Sequence, residues 1–126
     1  MEFINYSWAD SDLERIQVEY DQAVLTVWND AIQKTVFIKC SGLAGITNLC
    51  IWDDTIILDA NIYTVVNTNN DFLYQLYSAY DKNYDYGGKV LNKGLLELKI
   101  TLTNNIAFSV YCLEIDVVEP YYKEKV

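Results

Sequence analysis

The chain has 126 residues, 52% hydrophobic and 21% charged, enough to fill one core, so 1–126 reads as a single domain. Eighteen acids against nine bases give a net charge of -9, with one arginine, Arg15, and no histidine. That balance excludes nucleic acid and anionic membrane surfaces as expected partners, and the missing imidazole removes Ser-His-Asp and Cys-His catalysis and His-ligated zinc.

Residues 1–12 are mixed polar and aromatic. From Leu13 to Tyr20, Ile16, Val18 and Tyr20 alternate with Arg15, Gln17 and Glu19, the pattern of a half-buried strand. Asp21-Gln22 reads as a tight turn into Ala23–Trp28, and Asn29-Asp30 as a second turn into a strand over Gln33–Cys40. Three strands joined this closely form a meander. Ser41–Asn48 holds two glycines and reads as a loop or one helical turn. Thr55–Val66 reads as a strand with Ile56, Leu58, Ala60 and Ile62 on one face and Asp59 and Asn61 on the other.

The period then changes. Phe72, Leu76 and Tyr80 recur every four residues after the cap-rich stretch Asn67–Asn70, which predicts one short α-helix around residues 70–81. Leu96, Leu98, Ile100 and Leu102 alternate cleanly with polar residues, and Asn104-Asn105 suits a two-residue hairpin connection. Ile106–Val118 returns as strand, but Phe108, Val110 and Cys112 hold one phase while Leu113, Ile115 and Val117 hold the other. Such a phase slip predicts a bulge near Cys112 and Leu113 or a strand covered on both faces. The expected fold is mainly β (α+β): six or seven strands in an antiparallel sheet folded as a sandwich or half-barrel, with the helix against it.

Cys40, Cys50 and Cys112 are odd in number and lack a C-x-x-C pair. Each lies in an apolar run and reads as a small core side chain, and free thiols suit a cytoplasmic, reducing compartment. The N-terminus lacks a basic start and an apolar stretch, so no signal peptide is expected, and no run reaches a membrane span. Asp81 to Gly88 sets oxygen side chains at alternate positions, like the start of a calcium loop. The loop's sixth position should be glycine and is Tyr86; its twelfth should be glutamate and is Asn92. A solvated turn is the simpler reading, and no metal or cofactor is expected. Asp53 and Asp54 are adjacent, so on an extended chain they point to opposite faces and cannot share a substrate as an acid–base pair. With no Gly-rich phosphate loop or nucleophile elbow, the chain is expected not to be an enzyme.

Tyrosine is the outlier. Of 11, Tyr74, Tyr77, Tyr80, Tyr84 and Tyr86 fall within 13 residues. Half-buried packing is the plain explanation; a recognition surface is the other, since Tyr supplies contact area at low entropic cost. Residues 1–63 carry 10 acids and 3 bases, and residues 64–126 carry 8 and 6. Solubility explains that excess, or a negative face that steers a basic partner.

Gly42–Ile46 and Trp52–Ile57 form a segment of a type seen in small bacterial β domains. Across its length this acidic, Tyr-rich, His-free chain resembles the immunity proteins of bacterial toxin systems. That resemblance implies a non-catalytic, cytoplasmic protein that binds and blocks a basic cognate toxin. Immunity families differ widely, so no binding residue carries over. The acidic-aromatic candidates for the contact are Trp52, Asp53, Asp54, Asp59, Tyr84, Asp85 and Tyr86. The alternative is a structural subunit that self-associates through a strand edge or the tyrosines.

Overall fold

A computed structural model describes residues 2–47, 55–65 and 95–120. Among these the chain is mainly β, with eight strands in two antiparallel four-stranded sheets, one more strand than the upper expectation. The strands are β1 (Asp12–Glu19), β2 (Gln22–Asn29), β3 (Lys34–Ser41), β4 (Gly45–Thr47), β5 (Ile57–Thr64), β6 (Leu96–Leu102), β7 (Ala107–Cys112) and β8 (Glu114–Val118). The first sheet runs β1-β2-β3-β8 and the second β4-β7-β6-β5. The only helical element among the described residues is a 3-10 turn at Phe3–Asn5, which the sequence did not signal. The helix expected around 70–81 lies outside the described residues.

The meander β1-β2-β3 forms as expected, with its turns shifted. Glu19 pairs with Gln22, so the first turn is Tyr20-Asp21 and not Asp21-Gln22. The second spans four residues, because Asn29 pairs with Lys34. There the Asn29 side-chain oxygen accepts from the Ile32 amide at 3.2 Å, and the Gln33 side chain donates to the Asp30 carbonyl at 2.7 Å. Buried Asn29 also donates to the Ser7 carbonyl, while buried Ser11 accepts from the Asp30 amide. These bonds satisfy polar groups that burial would otherwise penalise, and they tie the N-terminal segment to this turn. β1 is an edge strand and buries only Leu13 fully; Val18 and Tyr20 are exposed, contrary to the half-buried face expected there.

Three other expectations are corrected. Ser41–Asn48 is not a plain loop, since Gly45–Thr47 pairs with Ser109–Tyr111 as β4. In β5 a register shift between Ile57 and Asp59 inserts one residue, which puts Leu58 in solvent and Ile57 in the core. Ala60 and Ile62 then pack against the core, as expected. The connection from β6 to β7 is one residue longer than expected. Leu102 donates to the Ile106 carbonyl, and Asn105 donates to the Leu102 carbonyl with a φ of 71°, the left-handed residue of a three-residue hairpin.

The phase slip after Cys112 is neither a bulge nor a doubly covered strand. It is a change of sheet: β7 belongs to the second sheet and β8 to the first. The chain makes the reverse change between β3 and β4, at Gly42. The two crossings touch. Leu113 donates to the Ser41 carbonyl and Ala44 to the Tyr111 carbonyl, and a Cβ at Gly42 would lie 2.9 Å from the Cβ, Cγ and Cδ1 of Leu113. Gly42 also has a φ of 66°. Glycine is required here twice over, by backbone conformation and by close approach.

Between the inward faces lies one core, built from both sheets. Leu25, Val27, Val36 and Ile38 come from the first, and Ile57, Leu98, Ile100, Phe108 and Val110 from the second. Phe3 and Trp8 close it from the N-terminal side, with ring centroids 4.9 Å apart. The sheets are also joined along one border by the Asp12–Ile56 bridge and by bonds from Asp10 and Leu13 to the Ile57 and Thr55 carbonyls. The Thr55 hydroxyl donates to the Asp12 carboxylate at 2.5 Å, adding a side-chain tie.

Candidate functional site

The register fixes which side chains face outward on each sheet. On the first, antiparallel pairing sets four rows: Asp12, Trp28 and Thr35; Arg15, Thr26, Phe37 and Val118; Gln17, Val24, Lys39 and Asp116; Glu19, Gln22, Ser41 and Glu114. On the central strands β2 and β3 this face presents Val24, Trp28 and Phe37 among Gln22, Thr26, Thr35, Lys39 and Ser41, with Trp28 in the end row and Phe37 in the row from Arg15 to Val118. Its borders are acidic, with Asp12, Glu14 and Glu19 on β1 and Glu114 and Asp116 on β8. Trp28 is 38% exposed, a large value for an indole on a central strand. Glu14, Arg15, Gln17, Thr26 and Phe37 line a shallow depression on this side. Cations on the face are Arg15 and Lys39, and Lys39 stands opposite Asp116. The described residues hold 12 acids and 4 bases, so net -8 of the chain's -9 resides on this two-sheet body.

The outward side of the second sheet is different. Ser109 donates to Glu97 at 2.6 Å, and the Tyr111 hydroxyl donates to the same oxygen at 3.3 Å. Tyr111 is buried and packs with Leu95, against Ala44, Val65 and Leu113. The polar trio is thus internally satisfied and bordered by a small apolar cluster, an arrangement that holds a sheet face together.

Of the sequence-predicted contact residues, Asp59 alone is described. It is exposed on β5, and its carboxylate accepts from the Asn61 side-chain amide at 2.8 Å. Trp52, Asp53, Asp54, Tyr84, Asp85 and Tyr86 lie outside the described residues. What sequence reading missed is the outward face of the meander. Its signal was present: Trp28 and Phe37 fall in the non-core phase of their strands, where polar residues are expected.

Cys40 and Cys112 are both buried and free, facing each other from β3 and β7; Cys50 lies outside the described residues. The hydrogen bond between the two thiols, then burial, hold Cys40 far above the ordinary thiol value of 9.0. An unfolded chain therefore releases this proton before the folded one. Stability is full below about pH 9 and should fall as pH rises above it. Urea unfolding between pH 8 and 10 checks this: Cys40→Ala should flatten the decline, and an unchanged slope would refute the assignment. Burial first, then the Glu119 carboxylate and the bond to it, raise the Tyr6 phenol.

No group of three or more potential metal ligands occurs among the described residues. No helix there is long and apolar enough to cross a membrane. Compared with known proteins, the chain matches no family model and no curated relative.

Proposed function

We propose that this chain is a non-catalytic protein-binding domain that holds a basic protein partner against an acidic-aromatic surface, in the manner of an immunity protein neutralising a cationic toxin. The two sheets, closed over their common core as a sandwich, serve as the rigid support for that surface. The observation that carries this reading is the outward face of the first sheet, which presents Val24, Trp28 and Phe37 and on which the acids Glu14, Glu19, Glu114 and Asp116 outnumber Arg15 and Lys39. Protein interfaces are enriched in aromatic anchors and carry polar residues around them. Negative borders speed the approach of a cationic partner, and desolvated aromatic contact then slows its departure. Catalysis is not part of this reading, because the polar groups brought together serve packing: the Glu97 trio on the second sheet, and the Asn29–Ser7 and Asp30–Ser11 bonds that hold the N-terminal segment.

The test uses the partner retained by immobilised wild-type chain from source cells. Its affinity for Trp28→Ala should fall at least tenfold, the loss of about 1.4 kcal/mol or more that follows removal of an aromatic anchor. Trp28 is part-exposed, so folding should survive, and circular dichroism confirms it. Undiminished affinity in a folded Trp28→Ala chain would reject this face as the contact.

A further inference from the structure

Facing sheets stand about 10 Å apart, whereas a disulfide needs Cα atoms about 4.4–6.8 Å apart. A bridge between two sheets therefore fits only where their backbones come together. Here that place is the pair of crossings. The Leu113 amide donates to the Ser41 carbonyl at 3.0 Å, and the Ala44 amide donates to the Tyr111 carbonyl at 2.7 Å. Cys40 directly precedes Ser41, and Cys112 lies between Tyr111 and Leu113. Each cysteine thus adjoins backbone that is bonded across to the other's crossing. Both side chains are fully buried in the same core, and their thiols are in hydrogen-bond contact. Packing alone asks for two small side chains at this corner, not for two sulfurs that touch.

We infer that Cys40 and Cys112 are an inter-sheet cross-link site: the pair closes to a disulfide when the chain folds in the presence of a small-molecule disulfide such as oxidised glutathione, and stays a dithiol when it folds under reducing conditions. The chemistry is two exchanges. One cysteine attacks the oxidant, forming a mixed disulfide and releasing one small thiol; the second cysteine then displaces the other. Two cysteine thiols become one S–S bond, one oxidant disulfide becomes two thiols, and those thiols carry off the two protons. Exchange needs access and a thiolate. In the folded chain access is denied to both sulfurs, and Cys40 also holds its proton far above the ordinary thiol range. Folding therefore sets the redox state, and burial keeps it. The bridge joins β3 of the first sheet to β7 of the second and closes the long loop between residues 40 and 112, which restricts the unfolded chain. The inference is independent of the meander face and of any partner.

The experiment refolds the wild-type chain and Cys50→Ala from urea, each into a mixture of oxidised and reduced glutathione and, separately, into a phosphine reductant. In the oxidising mixture the mass of Cys50→Ala should fall by about 2 Da, the two hydrogens lost, and digestion of either chain should yield Cys40 linked to Cys112. The urea midpoint of the bridged chain should lie at least about 1 M above that of the dithiol chain, and reduction after unfolding should erase the gain. Reduced glutathione should open the bridge at least about tenfold more slowly in the folded chain than in urea. Thiols left free or capped by glutathione after refolding, linkage through Cys50 in the wild type, a bridge that lowers the midpoint, or equal reduction rates with and without urea would overturn the inference. If Cys50→Ala does not fold, the linkage found in the wild type decides.

Discussion

Phe108→Ala should destabilise the domain by about 3–5 kcal/mol in urea unfolding. Phe108 is 1% exposed and is the largest fully buried side chain among the described residues. It stands on β7 opposite Ile100, in the layer where the two sheets meet. Truncating it removes the transfer free energy of a ring and leaves a void. Strands tied by ladders on both sides close such a void poorly, so the cost should lie at the upper end of core truncations. Most domains have about 5–15 kcal/mol in total, so the variant should lose a large part of its margin. Tyr20→Ala serves as the control, because Tyr20 is fully exposed; its effect should stay within about 0.5 kcal/mol. A Phe108→Ala cost near that of the control would mean that the sheets do not share this core.

Gly42→Ala should cost about 2–4 kcal/mol, although it adds one methyl group. Two effects combine: a non-glycine residue held at positive φ loses about 1 kcal/mol, and overpacking adds about 1–3. Rotating Leu113 does not relieve the contact, because its Cβ is among the atoms 2.9 Å away. A double-mutant cycle with Leu113→Gly separates the parts. In that background the clash is gone, so Gly42→Ala should cost only about 1 kcal/mol. Additivity of the two substitutions would show that the crossings do not press on one another.

Much of the β architecture was legible because burial on one face leaves a period of two. Leu96 to Leu102 and Ala23 to Trp28 read directly as strands, and β2 buries the residues of one phase, Ala23, Leu25, Val27 and Asn29, the last of which the sequence suggests for the turn. Where the period breaks, the sequence marks the break without its meaning. The slip at Cys112–Leu113 is the same in one dimension for a bulge and for a change of sheet, and only the pairing of β8 with β3 distinguishes them. The bulge at Leu58 likewise exchanges the facing of Ile57 and Leu58, which strict alternation cannot show. Edge position is equally hidden: Val18 carries a core-type residue and core phase, yet it ends exposed because β1 has a neighbour on one side only in its sheet. The proposed contact surface was harder still. Acid–aromatic composition pointed to a type of surface, but Trp28, Phe37, Glu114 and Asp116 come from three strands and share one face only through register.

The contact proposed for the meander face is one steered electrostatically toward a basic protein. The most direct measurement is the association rate with the purified partner, for wild type and for Glu114→Lys/Asp116→Lys, across a series of salt concentrations. Both positions are exposed on β8, so the charge change leaves the core alone. The wild-type rate should fall at least about tenfold from low to high salt, and the double variant should be about tenfold slower at low salt and nearly salt-independent. Equal rates for the two chains at every salt concentration would contradict it.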